Sequence, residues 1–328
     1  MELDLTTKLT GRRRAEWESL LAKTGLHPDV MPEETLLVWE DEELIATGSR
    51  DGNILKYLAV DPEHQGEDLT ATVLTQLRQS AFDKGLRHLF LYTKPANDFM
   101  FRSLFFYPIA ITGSVLLMES VKNGITTFID GLEKPVTQGN IGAAVMNCNP
   151  FTLGHRYLIE TAAAQADHLY IFVLSEDRSL FPAADRIELV RRGTEDLRNV
   201  TVLPSGPYLI SSATFPTYFL KDRDAAPKAQ CGLDIEIFTR YYAPAFGIGT
   251  RFLGSEPLSA LTDSYNSALA EQLPGRGIAV NIIPRKENEA GPISATKVRS
   301  LLHTGQPEEL KKLVPETTFE YLEKHDMI

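Results

Sequence analysis

Between Ile141 and Ala166 the chain spells out a strand, a turn and a helix. Ile141-Gly142-Ala143-Ala144-Val145-Met146 is small and apolar throughout, as expected of a strand covered on both faces. From Tyr157 onward, Leu158, Ile159, Ala162, Ala163 and Ala166 recur at helical spacing. Asn147 to Arg156 must therefore turn from one element into the other. In a parallel sheet such turns gather at the carboxyl ends of the strands, where ligands bind. Thr152 is the natural N-cap, which puts His155 at N3. Their side chains and the first-turn N–H groups face one small volume, suited to an anion and above all to phosphate. Gly154 leaves room for a ligand to approach the backbone.

Taken alone, this turn is weak: a Thr before a helix is usually only a cap. A second stretch strengthens it. In Gly291-Pro292-Ile293-Ser294-Ala295-Thr296-Lys297-Val298-Arg299, Ser294 is the N-cap, and Ile293 and Val298 take the staple positions N′ and N4. Lys297 and Arg299 fall near the positive end of the helix, where cations are unfavourable unless an external polyanion reverses the sign. Hydroxyls at Ser294 and Thr296 beside an Arg fork suit a triphosphate tail. No Walker A pattern occurs. Strands and helices alternate from 140 to 328, the signature of a doubly wound α/β fold with a parallel sheet.

Composition limits the partners. The chain has 328 residues, enough for about two domains, and 43% of them are hydrophobic. A net charge of −11 argues against nucleic acid and anionic membrane surfaces. No run approaches the ~18 apolar residues of a membrane span, and the acidic N-terminus does not read as a signal peptide. Two cysteines, Cys148 and Cys231, without metal-ligand spacing, fit a reducing cytoplasm, and no metal-ligating residues are assigned.

The pair Thr152-x-Gly154-His155 and Ile293-Ser294-x-Thr296-x-x-Arg299 resembles the double signature of the nucleotidylyltransferase superfamily. Four further stretches narrow the resemblance to the citrate lyase ligase family: Ser175-Glu176-Asp177-x-Ser179-Leu180-Phe181, Asp185-Arg186, Asn199 to Pro204, and Ala213 to Lys221. That resemblance implies ATP-dependent transfer of acetate, through acetyl adenylate, to the prosthetic-group thiol on the acyl carrier subunit of citrate lyase. AMP and pyrophosphate are the other products, and the lyase is activated. It also implies the site residues. Thr152, His155 and Arg299 would be catalytic. Asn149, Pro150, Phe151, Gly154, Gly254, Glu256, Ser294, Thr296 and Lys297 would bind ATP, with Mg²⁺. Lys221 and Arg186 stay open between ligand contact and structural support.

Ahead of this lies a second pattern. A helix from Arg12 to Lys23 is followed by strands Thr35–Trp39, Leu44–Ser49 and Ile54–Val60. Then come a helix Leu69–Lys84, a strand Leu86–Thr93, a helix Asn97–Tyr107 and a strand Val115–Ser120. This α+β order resembles the GNAT acetyltransferase superfamily. The loop that holds CoA pyrophosphate in that family needs glycines where this chain has Asp68 and Thr70, so the domain reads as one without acetyltransferase activity. The boundaries read from sequence are a GNAT-like domain at 1–130, a linker at 131–139 and the ATP-binding domain at 140–328. Three alternatives remain on the residues alone: an adenylyltransferase acting on a phosphopantetheine or mononucleotide, a non-catalytic nucleotide sensor, and an active acetyltransferase fused to a nucleotide-binding domain, against which the missing loop glycines count.

Overall fold

The structure is a computed structural model that describes residues 1–176, 179–209, 215–220, 226–255, 260–288 and 291–328. It divides into two units, Met1–Gly124 with Phe215–Glu236, and Ile125–Thr214 with Ile237–Ile328.

The first unit runs β1 (Glu2–Thr6), α1 (Gly11–Lys23), β2 (Glu34–Glu40), β3 (Glu43–Asp51), β4 (Ile54–Val60), α2 (Leu69–Asp83), β5 (Phe90–Thr93), α3 (Asp98–Ser103), β6 (Tyr107–Ile111) and β7 (Leu116–Glu119). The sheet order is β1-β2-β3-β4-β5-β7-β6. Only β4 and β5 are parallel, and they pair only through Ile54↔Phe90 and Leu55↔Leu91. A parallel pair needs a crossover, and α2 supplies it. Its four-residue repeat of Leu69, Val73, Leu77 and Ala81 is buried. Gly48 on β3 lets the helix sit close, since a Cβ there would lie 2.5 Å from Val73 Cγ1.

The elements differ from the sequence reading where the backbone turns left-handed. Gly85 (φ +80°) ends α2, and the Leu86 N–H donates to Ala81 O. Leu86 thus belongs to the helix cap, and the strand starts at Phe90. Phe105 (φ +60°) likewise stops α3 at Ser103, and Tyr107 opens a strand rather than closing a helix. The N-terminal segment forms an edge strand, β1, paired antiparallel with β2.

The second unit begins with α4 (Gly124–Asp130), β8 (Ile141–Met146), α5 (Leu153–Ala163), β9 (His168–Val173), α6 (Ala183–Arg192) and β10 (Val200–Pro204). The chain then passes into the first unit, to which α7 (Ala226–Ile237) belongs as far as Glu236. A wider π-turn, Phe238–Tyr242, leads to α8 (Ala243–Phe246). After it come β11 (Ile248–Gly254), α9 (Ala260–Gln272), β12 (Ala279–Ile283), the short pair β13 (Glu287–Asn288) and β14 (Gly291–Pro292), and helices α10 (Ala295–Leu301), α11 (Pro307–Lys311) and α12 (Glu316–Lys324). The large sheet has the order β10-β9-β8-β11-β12, with every neighbour parallel. The order reverses between β8 and β11, the switch point at which open α/β sheets bind ligands.

These units break the chain at Gly124, ahead of the boundary drawn from sequence, and they transfer Phe215–Glu236 to the first unit. The Tyr218 hydroxyl donates to Tyr92 O at 2.7 Å, and the Thr217 N–H donates to Asp29 Oδ2 at 2.8 Å. Such ties join residues more than a hundred positions apart, which local composition does not register.

Gly247 tests how tightly the second unit is drawn together. It sits at φ +68°, and a Cβ there would lie 1.9 Å from Thr137 O. Left-handed strain and overpacking each cost about 1–3 kcal/mol. Gly247→Ala should therefore lower the unfolding free energy by at least about 2 kcal/mol in a urea titration, while a Gly275→Ala control, whose Cβ meets nothing within 4 Å, stays near wild type.

Candidate active site

Helix α5 starts where β8 ends, and its first turn is held by its own side chains. Thr152 is the N-cap, in extended backbone. Its Oγ1 accepts from the His155 N–H at 3.3 Å, and His155 Nδ1 accepts from the Thr152 N–H at 3.1 Å. This is a capping box with histidine in place of the usual Glu or Gln. It fixes the tautomer: with Nδ1 accepting, the neutral ring carries its proton on Nε2, which is then a donor. Burial pushes the ring's pKa down to about 4, with the nearby positive Arg285 as a lesser cause. His155 is thus a neutral donor at pH 7. Phe151 lies fully buried against it, ring centroids 6.1 Å apart, and Gly193 is flat where that ring passes.

The first-turn N–H groups are not all open to a ligand, as the sequence suggested. The Leu153 N–H donates to Leu313 O at 2.9 Å, and that of His155 is taken by Thr152. Only the Gly154 N–H has no protein acceptor among the described residues. Gly154 itself has a different reason from the expected one. A Cβ there would lie 3.0 Å from the carbonyl oxygen of Ile293, so its Cβ direction is filled by the second motif's backbone rather than left for a ligand.

That second motif meets the first directly. Ser294 caps α10 by accepting from the Lys297 N–H at 3.1 Å. Ile293 and Val298, the staple pair, are both buried in one cluster with Leu302, Leu310 and Leu313. Arg299 reaches across 150 residues of sequence: its Nη1 donates to Asn149 O at 2.6 Å and its Nη2 to Thr296 Oγ1 at 3.1 Å. Asn149 Oδ1 accepts from the Phe181 N–H.

Thr152, Gly154 and His155, Gly254 at the end of β11, and Ser294 all line one recess of about 60 Å³. It is phosphoryl-sized, well below the ~300–1,000 Å³ of sites that enclose a drug-sized ligand. Among the remaining expected residues, Asn149, Thr296 and Arg299 form the bonded bridge beside the recess. Pro150 is buried, and Phe151 is a core side chain rather than a ligand contact. Lys297 does not line the recess; its charge acts on Glu309, whose carboxyl it helps to hold low behind the larger effect of Lys312. Glu256, Lys221, Asp177 and the stretch 213–214 lie outside the described residues. Two lining cations were not singled out from sequence, Arg285 and Lys286 after β12. They sit in an irregular connection with no motif around them, so only the fold brings them here.

Arg186 is bonded into the backbone around the site. It is fully buried. Its Nε donates to Phe181 O at 2.9 Å and its Nη1 to Asn147 O at 2.8 Å, while Nη2 donates to Glu176 O. It therefore holds the loop after β9 against the end of β8. Cys148, beside it, has its thiol pushed up to about 12 by burial, only partly offset by the Arg186 charge.

Residues 141–322 match the model of the citrate lyase ligase C-terminal domain. The chain is also 38% identical over 319 residues to the citrate (pro-3S)-lyase ligase of Escherichia coli strain K12, covering 95% of this chain and 91% of that protein. The chain belongs to the citrate lyase ligase family. The Klebsiella pneumoniae member is 39% identical over 316 residues, 94% of this chain and 92% of its own. Residues 6–103 match the acetyltransferase (GNAT) family. As in the sequence reading, a parallel-sheet α/β unit follows a GNAT domain in this citrate lyase ligase family member.

A GNAT domain implies CoA, and the first unit fits it only in part. Where β4 and β5 part beyond Leu55 and Leu91, a cavity of about 570 Å³ opens, lined by Leu58, Val60, Tyr92, Phe101 and Phe219 among others. At its edge α2 begins at Asp68, in left-handed backbone and with no side-chain cap bond. A carboxylate at that helix start opposes a pyrophosphate. The cavity has room for an apolar arm, but its mouth does not suit the phosphates, and no acetyl transfer from CoA is assigned to it.

Arg186→Ala should cost about 3 kcal/mol or more, because it leaves several buried carbonyls without their charged donor. A structural role requires that loss to appear equally in denaturation with and without saturating ATP. Selective loss of the ATP-induced stabilisation would make Arg186 a ligand instead.

Proposed function

We propose that this protein is an AMP-forming acid–thiol ligase that acetylates the prosthetic-group thiol of the citrate lyase acyl carrier and so activates the lyase. Membership of the citrate lyase ligase family supports the overall reaction. The observation that carries the site assignment is the joining of the two motifs, Gly154 against Ile293 O and Arg299 on Asn149 O, around a recess that His155 lines.

In the first step a carboxylate oxygen of acetate attacks the α-phosphorus of ATP. The bond from that phosphorus to the bridging oxygen breaks, and pyrophosphate leaves with its electron pair. In the second step the carrier's sulfur attacks the acetyl carbon of the adenylate, the thiol proton goes to solvent, and AMP departs. No protein nucleophile takes part; Cys148, in the same loop, is a core side chain whose thiol burial keeps protonated. The chain's contribution is positioning and charge neutralisation. His155 Nε2–H and the Gly154 N–H donate to α-phosphoryl oxygens. The Ser294 and Thr296 side of the site, with Arg299, meets the β- and γ-phosphates.

Mg²⁺ is part of this reading as a companion of the substrate. Among the described residues no group of three or more His, Cys, Asp and Glu side chains is disposed to hold a metal. An ion that keeps much of its water and binds chiefly through phosphates would neutralise triphosphate charge when it arrives with the nucleotide. We place the reaction in the cytoplasm: both cysteines are buried and neither forms a disulfide, and no described helix is long and apolar enough to cross a membrane.

Acetate-dependent ATP–pyrophosphate exchange by the purified protein tests the first step. His155→Ala should fold and lose about a hundredfold or more of that exchange, the scale of one oxyanion donor; wild-type turnover in this variant would remove His155 from the chemistry. A pH profile gives an independent check. Because the folded ring's pKa lies near 4, well below its ordinary 6.5, His155 stays neutral as pH falls through 6.5. The kcat/KM for ATP, which reports the free enzyme, should show no His155-dependent break between pH 5.5 and 7.5. A break near 6.5 that disappears in His155→Gln would contradict the lowered pKa given above.

A further inference from the structure

Arg285 is absent from both sequence motifs, yet it is built into the recess. Its own N–H donates to Ser255 Oγ at 3.0 Å, which ties it to the end of β11. Its Nε donates to Ile293 O at 3.3 Å, the same carbonyl that Gly154 packs against. The next residue completes the brace: Lys286 O accepts from the Ile293 N–H at 3.1 Å. The connection after β12 is thus pinned to both neighbours of the recess. Arg285 is half-buried there and lines the recess together with His155. Lys286 is placed differently, with its Nζ over the Tyr157 ring at 5.6 Å.

Charge gives this placement a direction. The described residues lining the recess include two cations and no carboxylate. The Arg285 charge is felt at the His155 ring, where it disfavours the imidazolium. A cation held beside a neutral donor is the arrangement that stabilises a phosphoryl group gaining charge. The planar fork of an arginine can contact two such oxygens at once.

We propose that Arg285 is a catalytic, phosphate-contacting residue that meets the α-phosphoryl group across the recess from His155. This rests on the adenylation reading above. Arg285 would stabilise the charge that grows as acetate adds and pyrophosphate leaves, so its effect belongs mainly in turnover rather than in ATP binding.

The test uses the full chain with Mg·ATP. At saturating ATP, Arg285→Ala should lower acetate-dependent exchange about a hundredfold, with a smaller rise in the KM for ATP. Arg285→Lys should recover part of the loss. A second readout does not depend on activity: ¹⁵N titration of the His155 ring should show its pKa rising in Arg285→Ala and staying low in Arg285→Lys. An Arg285→Ala enzyme that is folded and within threefold of wild-type turnover overturns the proposal, as does an unchanged His155 titration. Should Arg285→Ala fail to fold, Arg285→Lys decides: a loss of tenfold or more supports the contact, and full turnover refutes it. If the wild type itself binds no ATP and shows no exchange, the adenylation reading falls and this proposal with it. Wild-type exchange with an unaffected Arg285→Ala rejects this proposal alone.

Discussion

The bond from Arg299 to the Asn149 carbonyl holds together a site whose halves are 150 residues apart. Around it, two backbone contacts complete the frame. Ile293 O closes over Gly154, and Leu313 O accepts the first helical N–H of α5. The start of α5 is therefore fixed by β8 behind it, by α10 beside it and by the chain leading out of α11. A helix start has N–H groups that need acceptors. Among the described residues the protein supplies acceptors for two of these in the first turn and leaves the Gly154 N–H open, so the candidate anion site is narrow because the frame is nearly complete without a ligand.

Much of that frame is legible in the sequence because it follows local rules. Thr152 and Ser294 are caps by residue type and position, and both make the expected side-chain bonds. Ile293 and Val298 show the staple spacing and share one cluster. The strand-helix alternation gives the parallel sheet. The unread parts depend on distance or on backbone sign. Gly154 looks like a ligand glycine until Ile293 O is found against it. Phe151 sits in a ligand-bearing loop but belongs to the core. Left-handed Phe105 ends a helix that the sequence reading carries on to Tyr107, and the cap at Gly85 delays the next strand from Leu86 to Phe90. Arg285 and Lys286 have neither cap nor period to mark them. Phe215–Glu236 follows the second unit's strands in sequence yet packs with the first, through bonds such as Tyr218 to Tyr92 that have no local trace.

The net charge of −11 opposes a triphosphate ligand at long range, but it is screened within about 10 Å at moderate salt. Inside a partly desolvated recess the local set governs. That set has Arg285 and Lys286 on its walls and Arg299 on the adjoining bridge. The acidic balance elsewhere then disfavours binding to polyanions in general while leaving one short cationic track. The carboxylate at the mouth of the first unit's cavity acts in the same sense: Asp68 occupies the helix start at which a phosphate would otherwise be welcome.

The capping box also restricts what His155 can do on the proposed reaction. Its Nδ1 accepts from the Thr152 N–H, so protonating that nitrogen would break the bond that starts the helix. General acid–base exchange through Nδ1 is therefore opposed by the fold, and Nε2–H is left as a fixed donor. A neutral donor tracks charge weakly as the transition state forms, so the larger electrostatic demand falls on cations. On the proposed reaction, this division, a histidine that orients and arginines that neutralise, would follow from the tautomer that Thr152 imposes. On the same reaction, it would also explain why a site for a polyanion keeps its histidine uncharged.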